Sequence, residues 1–470
     1  MYPNIFEVVA VAEKKKRIHH FGPVPEFEFA NIPGRVTFND LPSEVIIDIA
    51  RHVAAGVDRS KIYGSYGYDF PRYNSCFLLQ LALCSRRLHH LVEPVLYERF
   101  HHGAMTSGKG LQLFLLRILA RPDLGRCVKI FHVDDTRAPI LGFIFSDDED
   151  DNTYTFTEEC VDLYETDFED VICFTAEGLE AAGRKITEAS TTTQESSEWV
   201  AGVEKRDLNA MIALILTLTP NLQVLDIDMW TRPDSVPAIL TRMLGLVGQL
   251  QRERQRGNPL ALWGLKKVVV RYLLASDFEI ATHHLLSVLT IPSVEILCAI
   301  HEEAASNYFF DFPETDVNET ELESVLQGNN LGLVNMKELS LSFMLVDPNT
   351  LFRLWRCYPG LKKLYYEDRL NDDDNGDNGR FDIDRFKSNN LIAEASRIIP
   401  HLQDLTILNQ EYTWGSLMES STMGVLTPFE NLRRLEITWP VLACCGDLDE
   451  ELFTLPTSRT VINAIPRSIK

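Results

Sequence analysis

Between Leu222 and Ile437 the chain writes one short phrase seven times, apolar-x-x-apolar-x-apolar. The copies are Leu222/Leu225/Ile227, Leu265/Val268/Val270, Val294/Leu297/Ala299, Met336/Leu339/Leu341, Leu361/Leu364/Tyr366, Leu402/Leu405/Ile407 and Leu432/Leu435/Ile437. In four of them a proline stands two residues before the first apolar position, at Pro220, Pro292, Pro359 and Pro400. Recurrence of this kind constrains the fold more than any local propensity, because every copy must become the same small structural unit.

The chemistry of one copy predicts a helix that ends, a turn, and a short strand with one buried face. In the run from Leu214 to Ile227, the apolar stretch to Leu218 suits a helix. Pro220 ends it, since proline lacks an amide hydrogen and keeps its predecessor out of the helical region. From Leu222 the pattern becomes a strand's alternation, with Leu225 and Ile227 inward and Gln223, Asp226 and Asp228 on faces that tolerate water. One such unit cannot cover its own apolar face, so neighbours must stack to bury a continuous core, as in leucine-rich repeats and other solenoids.

Steps between first positions are 43, 29, 42, 25, 41 and 30 residues, against about 20 to 29 in regular leucine-rich repeats. The long steps call for inserted helices or a degenerate copy, and no Asn/Cys position ladders the turns. The expected fold class is therefore α/β with an irregular, leucine-rich-repeat-like solenoid. An ordinary α/β sheet whose strands follow prolines is the alternative.

Composition sets the class. With 470 residues, 45% hydrophobic and 24% charged, the chain can bury a large core. No apolar run is long enough to span a membrane and the amino terminus has no signal-peptide pattern, so a cytoplasmic or nuclear location, with no membrane partner, is expected. The nine cysteines lack a metal spacing and are read as reduced, buried thiols. A net charge of −23 argues against nucleic acid as a partner, since phosphate binding needs a basic surface. The basic stretch after Glu13, Lys14-Lys15-Lys16-Arg17, can be read as a nuclear-import signal or as a chance run.

Near the amino terminus the residues become more specific. Residues 38–53 hold a helix start: Asp40 suits a cap, Pro42 the first turn and Glu44 the positive end of the helix. Val45, Ile46, Ile49 and Val53 form an apolar stripe at helical spacing. A second apolar helix is predicted over residues 77–97, basic at Arg86, Arg87, His89 and His90 and broken by Pro94.

Leu41-Pro42-x-Glu44 opening a helix, followed by Leu79-x-Leu81-Ala-Leu-Cys-Ser-Arg-Arg-Leu88, resembles the F-box. The likeness is to F-box proteins with degenerate leucine-rich repeats, an arrangement common in fungal members. Carried over by motif position, Leu41, Pro42, Glu44, Ile46, Ile49 and Val53 match the first half. Leu79, Leu81, Leu83, Cys84, Arg87, Leu88 and Leu91 match the second. The resemblance implies a small all-α F-box region that docks the adaptor subunit of a cullin-RING (SCF-type) ubiquitin ligase. It implies further that the solenoid captures a protein substrate for ubiquitination, with no catalytic residue and no cofactor in this chain. The alternative is a ligase-independent repeat scaffold for protein-protein interaction. Two departures stand out: Leu88 occupies a position usually held by Trp, and the halves are separated by an insertion at about 54–75, which a surface loop can accommodate.

Other chemistry is poorly supported. The paired histidines lack the HExxH spacing of a zinc helix, and Cys444-Cys445 has no CxxC companion. Asn371 to Asp382 places oxygen residues at several calcium-loop positions, but Asn371, Asn378 and Asp382 depart from the pattern, and a solvated loop is the plainer reading. No GxSxG, phosphate loop or kinase signature occurs. Arg353, Arg356, Lys362 and Lys363 can form a basic spot for an acidic or phosphorylated motif, or simply a solvated face.

The expected organisation is a flexible tail over 1–34, the F-box over 35–100, and a connecting helix with the first solenoid unit over 101–145. An acidic, Ser/Thr-rich insertion, partly disordered, follows over 146–200, and irregular repeats occupy 201–470. Residues 464–470 begin another proline-then-apolar phrase, from which an array lacking its cap is expected.

Overall fold

The computed structural model describes residues 40–55, 75–102, 109–133, 174–230, 238–273, 285, 287–301, 335–342, 348–368, 394–409, 429 and 431–437. The predicted tail, the insertion expected between the two F-box-like halves after Ala55, the acidic run after Ser146, the calcium-like loop, Cys444-Cys445 and the last residues lie outside them. Two compact units divide the chain: residues 1–206 with 214–222, and residues 207–213 with 223–470.

The first unit opens with three helices, α1 (Ser43–Ala55), α2 (Ser75–Cys84) and α3 (Arg86–Leu96). The single helix predicted over 77–97 is therefore two, and the break falls at Ser85 rather than Pro94. Ser85 has extended backbone and its hydroxyl accepts the Leu88 N–H, a regular N-cap. Pro94 sits in the last turn of α3, where only one helical bond is forfeited. Strand β1 (Arg99–His102) follows, then α4 (Lys109–Ala120), the single turn α5 (Pro122–Gly125) and β2 (Ile130–Val133), which pairs parallel with β1. Phe100, Phe114 and Phe131 stack beneath this pair with centroids 4.0 to 6.2 Å apart.

The Ser/Thr-rich stretch read as part of a disordered insertion is helical. Helices α6 (Ala176–Ala189) and α7 (Thr193–Glu204) form there, capped by Thr175 and Thr192. Hydroxyl residues that look like linker composition act here as N-caps. Trp199, Val203, Ala182 and Ile186 supply the buried face.

Helix α8 (Leu208–Leu218) carries the chain into the second unit. That unit contains α9 (Ala238–Arg252), α10 (Pro348–Cys357) and seven parallel strands in chain order. The strands are β3 (Val224–Trp230), β4 (Lys267–Leu273), β5 (Ile296–His301), β6 (Glu338–Ser342), β7 (Lys363–Asp368), β8 (Asp404–Asn409) and β9 (Arg434–Ile437).

The phrase read from the sequence is the register of this sheet. Leu225, Val268, Leu297, Leu339, Leu364, Leu405 and Leu435 face one another strand by strand, as do the third positions from Ile227 to Ile437. Every first position, from Leu222 to Leu432, is at most 1% exposed. At roughly 1.5 to 3 kcal/mol per buried aliphatic side chain, this ladder is the dominant stabilising feature of the unit.

Each proline has a second task. The N–H of Leu222, Val294, Leu361 and Leu402 donates to the carbonyl three residues earlier, on Thr219, Ile291, Tyr358 and Ile399. Pro220, Pro292, Pro359 and Pro400 thus occupy the second place of a tight turn, where their fixed φ fits. Beyond the turn one carbonyl per strand accepts two successive N–H groups of the next strand: Gln223, Lys266, Glu295, Lys337, Lys362 and Gln403 all do so.

One strand position departs from expectation. Asp226 is fully buried, and the Arg271 guanidinium lies 2.6 Å from its carboxylate, so an ion pair replaces water on that face.

Candidate adaptor-docking surface

Helix α1 carries two apolar stripes side by side. Ile46, Ala50 and Ala54, at i, i+4 and i+8, are buried, and Ala50 and Ala54 pack with Leu78, Ala82, Val92 and Val95 of α2 and α3. The small alanines let the helices approach closely. The adjacent stripe, Val45, Ile49 and Val53, turns outward: Val45 is 41% exposed, and Ile49 and Val53 are half-buried. The apolar stripe predicted for this helix therefore mixed two faces, because alanine was not counted as a core residue.

Helix α2 adds to the outward surface. Leu78 and Ala82 point into the bundle, whereas Phe77 is 44% exposed and Leu83 73% exposed. Among the described residues, Val45, Phe77 and Leu83 are the exposed large hydrophobic side chains, and all three belong to α1 and α2. A soluble chain can expose single apolar residues without consequence, but their concentration in one small element is informative.

The sequence-derived docking residues separate into three groups. Ile46 and Leu88 are buried and hold the bundle together, so neither is free to meet a partner. Leu41, Ile49, Val53, Leu79, Leu81 and Leu91 are half-buried, and Pro42, Glu44, Leu83, Cys84 and Arg87 are exposed. Arg87 has a structural task as well: its guanidinium donates to the Leu41 carbonyl at 2.7 Å, tying the entry of α1 to the start of α3. Pro42 lies just before α1, and its carbonyl accepts the first helical N–H, from Ile46. Val45 and Phe77 were missed by motif matching; their signal is an apolar residue beside, rather than on, the buried stripe of its helix.

Charge anchors this bundle to the rest of the first unit. Glu93, buried on α3, accepts from Arg117 of α4 at 2.9 Å and from Arg121 at 3.5 Å. The Glu93 carboxylate holds the Arg117 guanidinium above its ordinary value, and burial pushes the Tyr97 phenol beside them upward. Glu98 meets Arg51 of α1 at 2.8 Å and Lys129 at 3.1 Å. The apolar surface therefore stands on a fixed base.

The cysteines correct another expectation. None of Cys84, Cys127, Cys298 and Cys357 is in a disulfide, and of these Cys298 is buried, Cys127 and Cys357 are intermediate and Cys84 is exposed, its thiol donating to the Gln80 carbonyl. Among the described residues no group of three or more His, Cys, Asp or Glu side chains could hold a metal ion. No described helix is long and apolar enough to cross a membrane. No family model matches the sequence, and no curated protein matches it.

Proposed function

We propose that this chain is the substrate-recognition subunit of a cullin-RING ubiquitin ligase. In this reading α1 to α3 are an F-box that docks the ligase's adaptor subunit, and the strand array is an irregular leucine-rich-repeat solenoid that captures a protein substrate. The observation that carries it is the exposure of Val45, Phe77 and Leu83 within one three-helix element in which Ile49 and Val53 are half-buried. Such a surface suits a helix-in-groove contact, in which a few apolar anchors supply most of the binding energy.

The chemistry of such a subunit is proximity. Holding a substrate and the ligase on one scaffold raises the effective concentration of substrate lysines near the ubiquitin donor, without a catalytic side chain in this chain. The test is co-purification with the adaptor, comparing the parent with a Val45→Asp, Leu83→Asp variant whose changes fall on exposed positions. Capture by the parent and loss in the folded variant is the expected result. Failure of both to bind, with native melting, removes the ligase reading and leaves a repeat scaffold.

A further inference from the structure

The chain carries 68 acidic residues against 45 basic ones, yet the entry edge of the second unit's sheet has the opposite balance. The carbonyls that each accept two N–H groups from the next strand put Lys266, Glu295, Lys337, Lys362, Gln403 and Arg433 in equivalent places along this edge, about 4.8 Å apart per strand. The following residues form a second rank with Lys267, Lys363 and Arg434 as its cations and Glu338 and Asp404 as its acids. The two ranks hold seven cations and three carboxylates, and Arg434 is in addition paired with Glu436 at 2.8 Å.

Side-chain contacts verify the ranks and show how the acids are used. Glu295 lies between two lysines, 3.1 Å from Lys266 and 2.5 Å from Lys337. Glu338 meets Lys363 at 2.7 Å. No described carboxylate pairs with Lys362 or Arg433, and both are exposed. With Lys266 and Lys337 already on Glu295, Lys362 and Arg433 are the first-rank cations whose charge an outside anion can meet.

We propose that this cationic edge is the recognition surface for an anionic, extended segment of a protein partner, either Asp/Glu-rich or phosphorylated. The inference rests on the reading of the array as a partner-capturing surface, and names the chemistry of what it captures. An extended peptide laid across the strand entries meets cations at β4, β6, β7 and β9 and none at β5 and β8. Nucleic acid shares the anionic chemistry, but the strongly negative remainder of the chain repels a long phosphate backbone. A short anionic segment concentrates its charge on the edge and avoids that repulsion.

Fluorescence anisotropy with the full chain tests this, using labelled poly-glutamate, a phosphoserine-repeat peptide, an uncharged peptide of equal length and a single-stranded RNA. The comparison protein is Lys362→Glu, Arg433→Glu. Saturable binding of either anionic peptide at low salt, weakened roughly tenfold in the variant at unchanged melting temperature, is expected. Which of the two peptides binds tells whether carboxylate or phosphate is read. Equal binding to parent and variant, binding of neither peptide, or tighter binding of RNA overturns the proposal. No ligase component enters the assay, so a failure here is separable from a failure of adaptor docking.

Discussion

At the scale of single residues, the most consequential polar side chain in the second unit is Gln251. It is buried at the end of α9, and its amide nitrogen donates to the Ala261 carbonyl at 2.6 Å and to the Ser293 hydroxyl at 2.9 Å. Its amide oxygen accepts the Ser293 N–H at 2.8 Å. One side chain thus holds a helix, the short 3-10 turn Pro259–Ala261 and the proline turn before β5. Replacing Gln251 by Leu leaves the Ser293 N–H and the Ala261 carbonyl buried without this partner, at about 2 to 4 kcal/mol. Urea unfolding is expected to show the loss; a change below about 0.5 kcal/mol would mean water or relaxation satisfies those groups. Nothing in the sequence distinguishes Gln251 from Gln249, which lies at the surface pairing with Glu253. The same blindness hid Asp226, whose alternation pattern said solvent and whose Arg271 partner lies one strand away.

At the scale of elements, the repeated phrase was legible because its three apolar positions are the ladder itself. Two further copies were not. Val128/Phe131/Val133 is a full copy ending in β2 with all three residues buried; it falls in the stretch expected to hold the first solenoid unit, although the phrase itself was not counted there. Tyr97/Phe100/His102 ends in β1, where Phe100 and His102 pair in register with Phe131 and Val133, but its outer positions, Tyr and His, fall outside an aliphatic code. A residue three before the first position, such as Thr219, Leu262, Ile291, Tyr358 or Ile399, is also buried; it starts the tight turn and extends the phrase by one term. The charged ranks at the strand entries were visible only as scattered lysines. Their coupling gives a pH signature. Lys337 and Lys266 hold the Glu295 carboxyl below the usual carboxylate range. A depressed folded-state pKa gives stability that is present above the unfolded pKa and lost as pH falls through the folded one. The pair contacts are solvent-screened, so the effect is under about 1 kcal/mol. Glu295→Gln is expected to lower stability slightly at neutral pH and to converge with the parent below the carboxylate range. Denaturant titrations across that range check it, and a constant difference at all pH values would refute the coupling.

At the scale of the whole molecule, the candidate surfaces differ in kind as well as place. The exposed apolar residues Val45, Phe77 and Leu83 belong to the first unit, and the cations Lys362 and Arg433 to the second. Their locations were only partly readable: the F-box resemblance selected residues on the three helices, but Ile46 and Leu88 among them are buried. Apolar docking and cationic capture respond oppositely to ionic strength. Contacts among exposed charges are screened beyond a length of about 10 Å at 0.1 M salt, whereas burial of apolar surface is not weakened by salt. Raising sodium chloride from about 0.05 to about 0.5 M is therefore expected to weaken anionic-peptide binding at least tenfold while leaving adaptor capture unchanged or firmer. Parallel anisotropy and pull-down measurements on one preparation decide it. If adaptor capture falls with salt as steeply as peptide binding, charge rather than Val45, Phe77 and Leu83 governs docking, and the apolar-anchor account of the three helices is wrong. If capture persists while peptide binding vanishes, two independent surfaces with separate physics sit on one chain, as a subunit that joins a ligase to its substrate requires.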